Sequence, residues 1–211
     1  MRYRDHARET RQNLVRAAAE VFDRKGFPAT NLHDICRKAG VTKGALYFHF
    51  SSKDALAIAV MEEQGGVWQA ALEQAGDSAK PGLQSLIDLS YTFSRQLRTD
   101  PVIRAANLLV FEAGLFRRQG GPQFAGWITV VRALLMRARE DGDLENDLDV
   151  NAVAESLVGG FTGSQLLSRA LTGNSDLDAR TTQLWQLWIP AMVPTERRNR
   201  IRVGPPEGPR G

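Results

Sequence analysis

The sequence predicts an all-α fold: an N-terminal three-helix domain containing a helix-turn-helix, then a larger helical body. Two observations predict it. Apolar residues recur at three- and four-residue spacing along nearly the whole chain, and no long β-branched alternation interrupts them. Gly, Pro, Asn and Asp break the pattern at intervals of helical length. A third observation concerns partners. Residues 1–53 hold 11 Lys/Arg against 5 Asp/Glu, residues 54–193 hold 11 against 17, and residues 194–211 hold 5 against 2. A basic quarter on an acidic body points to a polyanion met by that quarter, the alternative being a solvated charged surface.

Each helix follows from its own signals. Over 8–25, Leu14, Ala17, Ala18, Val21 and Phe22 form an apolar stripe. Gly26 stands at the C′ position and Pro28 blocks continuation. Thr30 or Asn31 caps a second helix, 31–38, that buries Leu32, Ile35, Cys36 and Ala39. Gly40 takes a positive φ cheaply, Val41 tucks in, and Thr42 caps a third helix from Lys43 to His49. Further helices are expected at 53–75, 82–98, 101–117, 122–140, 150–172 and 176–192. Pro190 should end or kink the last of them. The polar, Pro/Gly-rich end 194–211 is expected to be a disordered basic tail.

The stretch "VTKGALYFHF" (41–50) also fits a strand, because Leu46, Phe48 and Phe50 alternate with Ala45, Tyr47 and His49. A lone strand in a helical chain leaves backbone groups unpaired, so the helical reading stands. Leu46 and Phe50 then face Ile35 and Phe22. Thr42, Lys43, Gly44, Ala45, Tyr47 and His49 are left outside. Such a face suits duplex DNA. Lys43 can donate to guanine O6 and N7, and Gly44 and Ala45 let the helix approach the groove floor. Thr42, Tyr47 and His49 can donate to phosphates, as can Lys53 at the head of the next helix; Thr30 is assigned to the same contact set.

Several function classes fall away. No run of 18 apolar residues predicts a membrane span, and "MRYRDHARETRQ" lacks the apolar core of a signal peptide, so a cytoplasmic chain with no membrane partner is expected. One cysteine, Cys36, builds neither a disulfide framework nor a metal site, and reads as a small buried side chain. "DGDLENDLD" (141–149) lacks the Gly and Glu of a calcium loop, since Asn146 and Ala152 stand there; an inter-helix turn with Asp149 as cap is expected instead. His6, His33 and His49 lack metal-ligand spacing, no G-x-S-x-G occurs, and no acid/base cluster is visible. The chain reads as a non-enzyme without cofactor.

"AAAEVFDRKGFPATNLHDICRKAGVTKGALYFHFSSKDALA" resembles the DNA-binding domain of the tetracycline-repressor (TetR) family. "GVTKGALYFHF" followed by Ser-Lys-Asp resembles in particular the γ-butyrolactone autoregulator receptors. "RQLRTDPVIRAANLL", "FAGWITVVRALLMRAREDGDL" and "VGGFTGSQ" continue that likeness in order and spacing. The resemblance implies a DNA-binding domain over 1–52 and a ligand-binding and dimerisation domain over 53–193. It further implies a homodimer through the last two helices on palindromic operator DNA, and a small apolar effector that releases it.

By the same resemblance Trp127 lines the effector pocket, where an indole offers a broad apolar wall with one N–H. Gln64, Thr162 and the adjacent Phe161 complete the assigned ligand set. Alternatively, Gln64 faces solvent and Thr162 bonds its own helix. Gly159, Gly160 and Gly163 suggest close approach of a ligand or helix. Leu166, Leu167, Leu171, Leu184, Leu187 and Trp188 can supply a dimer surface. Helix 53–75 is the expected lever between the two parts. Two alternatives stand beside this reading: a receptor of the same fold answering an antibiotic or other metabolite, and a constitutive DNA-binding protein with a filled core.

Overall fold

The computed structural model describes residues 2–63, 80–111 and 120–206. Among them all regular structure is helical. In order these are α1 (Arg2–Ala29), α2 (Leu32–Ala39), α3 (Lys43–His49), α4 (from 53, described to 63), α5 (Gly82–Thr99), α6 (Pro101–Leu109), α7 (Gly120–Glu140), α8 (Val150–Thr172) and α9 (Leu177–Met192). A 3-10 turn, Arg198–Arg200, follows. The described residues fall into two units, one built from 2–63, 100–111 and 120–123, the other from 80–99 and 124–206. The division expected at 52/53 therefore differs from this one, which gives α6 to the N-terminal unit.

In that unit α1 carries the core. Leu14, Val15, Ala18, Val21 and Phe22 are buried, as are Ile35, Leu46, Phe50 and Leu56 of the same unit. The chain breaks helical geometry at Gly26 (φ 75°), where the sequence placed the end of α1. Asn31, not Thr30, caps α2, accepting from the Asp34 N–H at 2.9 Å. Asp34 also binds the Lys25 ammonium at 2.7 Å and Arg37 at 3.1 Å, tying α1 to α2. Packing of α6 on α1 is fixed by an Arg104–Asp23 ion pair of 2.9 Å, shielded on both sides. The sequence ran α6 to residue 117; it ends at Leu109, and Val110 and Phe111 lie in a turn.

In the second unit, α5 and α9 are joined by a polar ladder. Trp185 Nε1–H donates to Ser90 Oγ (2.8 Å), Tyr91 shares a hydrogen bond with Thr182 (2.7 Å), and Ser94 with Thr181 (2.9 Å); Arg98 pairs with Asp178. Tyr91, Ser94, Thr181 and Trp185 are buried, so each needs its partner there. Gly160 on α8 lies under the Trp188 ring, where a Cβ would come within 2.5 Å of it; Gly159 and Gly163 face open space. Close approach, expected at three glycines, is thus seen at one.

The 141–149 turn is a structural knot. Asp149 caps α8, accepting from the Asn151 and Ala152 N–H groups, and the Asp141 carboxylate accepts from the Gly82 N–H at 2.7 Å. Burial pushes the Asp143 carboxyl up. Pro190 neither ends nor precedes the end of α9 directly, since the helix runs on to Met192. Arg198 then caps it by donating to the Pro190 and Val193 carbonyls. The tail expected to be disordered is held as far as 206. Arg202 exchanges backbone hydrogen bonds with the Gln84 amide and donates to Asp88 at 2.7 Å.

Asp176 links the end of α8 to the start of α9. Its carboxylate accepts from Arg180 (2.8 Å), Ser168 (2.5 Å) and Thr172 (2.7 Å), which hold it well below the ordinary carboxylate range. A depressed carboxyl stabilises the fold above its unfolded value near 3.8 and loses that contribution as pH falls through the folded one. Asp176→Asn is therefore expected to melt earlier than the native chain at pH 7, with the gap closing below about pH 4. Melting temperature against pH checks this; a gap constant with pH counts against it.

Candidate functional site

α3 is short, and its two faces differ sharply. Thr42 caps it, its hydroxyl accepting from the Ala45 N–H at 3.2 Å. Val41 N–H donates to Cys36 carbonyl and Gly40 takes φ 67°, so the α2–α3 turn closes tightly. Asn13 on α1 donates to the Ala39 carbonyl at 2.9 Å and braces the turn from behind. Inward, Leu46 is fully buried and Phe50 nearly so. Outward, Thr42, Lys43 and Gly44 are exposed, Ala45 and His49 half-buried, and Tyr47 is 56% exposed. The sequence left these six outside, and none of them is buried in the structure.

Phe48 was missed. It is 71% exposed and meets His49 edge-on, ring centroids 5.0 Å apart. The signal was available: at 100° per residue, Phe48 lies 200° from Leu46 and cannot share its face. Phe48 and Tyr47 are adjacent, exposed aromatic side chains, an arrangement costly in water.

Two assigned DNA contacts do not join this face. Thr30 is 3% exposed, and its hydroxyl donates to the Gly26 carbonyl at 2.7 Å. Lys53 is half-buried; its ammonium donates to the Phe27 (2.7 Å) and Thr30 (2.9 Å) carbonyls and lies 4.2 Å from the centre of the Phe27 ring. Both side chains serve the α1–α2 connection, because the break at Gly26 leaves helix-end carbonyls that need donors.

The assigned effector residues take part in different ring contacts. Trp127 is buried on α7, with ring centroids 4.9 Å from Phe124 and 6.4 Å from Phe93. Phe161 belongs to an α8–α9 triad with Trp185 (5.7 Å) and Trp188 (5.4 Å), and Thr162 beside it is half-buried. Gln64 lies outside the described residues. On α8 and α9, Leu166, Leu167, Leu171 and Leu187 are exposed, the last two at 69% and 71%; Leu184 and Trp188 are half-buried. Among the described residues no group of three or more His, Cys, Asp or Glu is placed to hold a metal, and no helix is long and apolar enough to cross a membrane.

A braced helix-turn-helix with a cationic, aromatic outer face defines the class of helical DNA-binding regulators. Residues 14–60 match the model for bacterial regulatory proteins of the tetR family, and residues 80–194 match a tetracyclin repressor-like C-terminal domain. The chain belongs to the TetR family of transcriptional regulators, which are not enzymes. It is 38% identical over 186 residues to the A-factor receptor protein of Streptomyces griseus, covering 88% of this chain and 64% of that protein's length. A crystal structure of a γ-butyrolactone receptor superposes with TM-score 0.80 at 33% identity, covering 92% and 94% of the two chains. CprB from Streptomyces coelicolor, solved in complex with its operator sequence, superposes with TM-score 0.78 at 34% identity, covering 92% and 93%.

Proposed function

We propose that this protein is a dimeric transcriptional repressor released from palindromic operator DNA by a small apolar signal of the γ-butyrolactone kind. The observation that carries the DNA half is the exposed Thr42-Lys43-Gly44 start of α3, set on a buried Leu46 and Phe50. Two such helices, about 34–36 Å apart, would enter successive major grooves. Lys43 reads a guanine, and Thr42, Tyr47 and His49 fix register on phosphates, with Phe48 against the sugar edge. The likeness to an A-factor receptor, to a γ-butyrolactone receptor and to operator-bound CprB supports the same reading.

Trp127 is the proposed wall of the effector pocket, with Gln64, Thr162 and Phe161 as its proposed companions. A second reading, constitutive binding with a filled core, draws on the burial of Trp127 beside Phe93 and Phe124. One experiment addresses both. Duplexes are recovered from a random pool and titrated with a synthetic alkyl γ-butyrolactone. Lys43→Ala should lose about 1–3 kcal/mol of discrimination at one base pair per half-site. The lactone should release the native protein and not Trp127→Ala. Unchanged base preference removes Lys43 from the reading face, and native protein that ignores the lactone favours the second reading.

A further inference from the structure

Lys53 stands where a cation is least expected. It is the first residue of α4, whose N-terminus is already capped: the Ala55 N–H donates to Ser52 Oγ at 3.0 Å and the Leu56 N–H to the Ser52 carbonyl at 3.2 Å. A helix N-terminus carries partial positive charge and disfavours lysine. The compensation comes from the opposite pole of α1. Lys53 gives two of its three donors to the Phe27 and Thr30 carbonyls and sets its charge over the Phe27 ring. Thr30 completes the joint, its N–H donating to the Phe27 carbonyl at 3.2 Å and its hydroxyl to Gly26.

This joint closes a loop. The chain from Thr30 to Lys53 contains all of α2 and α3, so the helix-turn-helix is held where it begins and where it ends. Two of the ammonium's three donors are thus committed within the fold, and its charge already rests on the Phe27 ring. We infer that Lys53 is a positioning residue, which sets the angle at which α3 is presented to DNA and makes no phosphate contact of its own. The inference rests on the proposed DNA reading.

The test is binding of full-length native and Lys53→Met protein to one selected duplex, well below the melting temperature of both, over a series of salt concentrations. Methionine keeps the stem against Phe27 and removes the charge. The expected result is about tenfold weaker binding at every salt concentration, with parallel plots of log affinity against log salt. A plot shallower by about one unit identifies a lost phosphate contact and overturns the inference. Native affinity with only a lowered melting temperature makes Lys53 merely structural and overturns it too. Should the Met variant not fold, Lys53→Arg keeps a phosphate-binding charge on a fork that does not fit the two-carbonyl socket. Weaker binding with a parallel slope then supports the inference, and native affinity overturns it. Native protein that binds no duplex overturns the DNA reading itself, an outcome separate from any change of slope.

Discussion

Arginine at both Leu171 and Leu187 is expected to leave the chain folded, monomeric in sedimentation, and at least about 100-fold weaker on a palindromic duplex. Both leucines are among the most exposed large apolar side chains of α8 and α9, so their replacement removes little intrachain packing. Covering each leucine is worth about 1.5–3 kcal/mol to an assembly. In a two-fold interface each substitution occurs twice, so four guanidinium groups would have to be buried or displaced from the leucine face. Loss of the proposed dimer would separate the two half-site readers, and the gain from linked binding would go with it. Melting temperature should stay near native, which distinguishes this outcome from unfolding. A variant that still sediments as a dimer would mean that the leucine face of α8 and α9 is not the interface.

Gly82→Ala should be among the most destabilising single-methyl additions the chain can suffer. A Cβ at Gly82 would sit 2.5 Å from the Ala138 nitrogen, 2.5 Å from the Leu134 carbonyl oxygen and 2.8 Å from the Arg137 Cβ. Two of the three are backbone of α7, so the clash is relieved only by sliding α5 away from α7. That shift also stretches the 2.7 Å hydrogen bond from the Gly82 N–H to Asp141. A cost of about 3 kcal/mol follows, or roughly 10 °C in melting temperature for a chain of this size. Gly126→Ala is the control: nothing lies within 4 Å of its Cβ position, and alanine should be neutral or slightly stabilising there. Equal melting of the two variants would show that α5 and α7 do not approach this closely.

What the sequence made legible was local. Gly26, Asn31, Gly40, Thr42 and Asp149 act on residues within four positions of themselves, and helix boundaries followed from them. The inward side of Leu46 and Phe50 was legible from their four-residue spacing, whereas the exposure of Lys43, three residues before Leu46, came from the structure. The strand-like alternation of Leu46, Phe48 and Phe50 concealed Phe48, which belongs with the outer face. Tertiary partners were not legible. Thr30 and Lys53 look like phosphate donors until the helix-end carbonyls are seen beside them. The ladder of Ser90, Tyr91 and Ser94 with Trp185, Thr182 and Thr181 joins segments nearly a hundred residues apart. The tail misled for the same reason: its Pro/Gly composition suggested disorder, whereas Gln84 and Asp88 anchor Arg202 from far upstream. Trp127 came from family likeness, and its neighbours Phe93 and Phe124 came only from the fold.

The Asp23–Arg104 bridge has a practical consequence for anyone who would borrow this reader for another regulator. A graft cut after α4 would carry α1 without the helix that shields one of its sides, leaving Asp23 without its guanidinium and apolar surface bare to water. A transplantable version must therefore bring α6 along, joined back to the reader by a linker of its own.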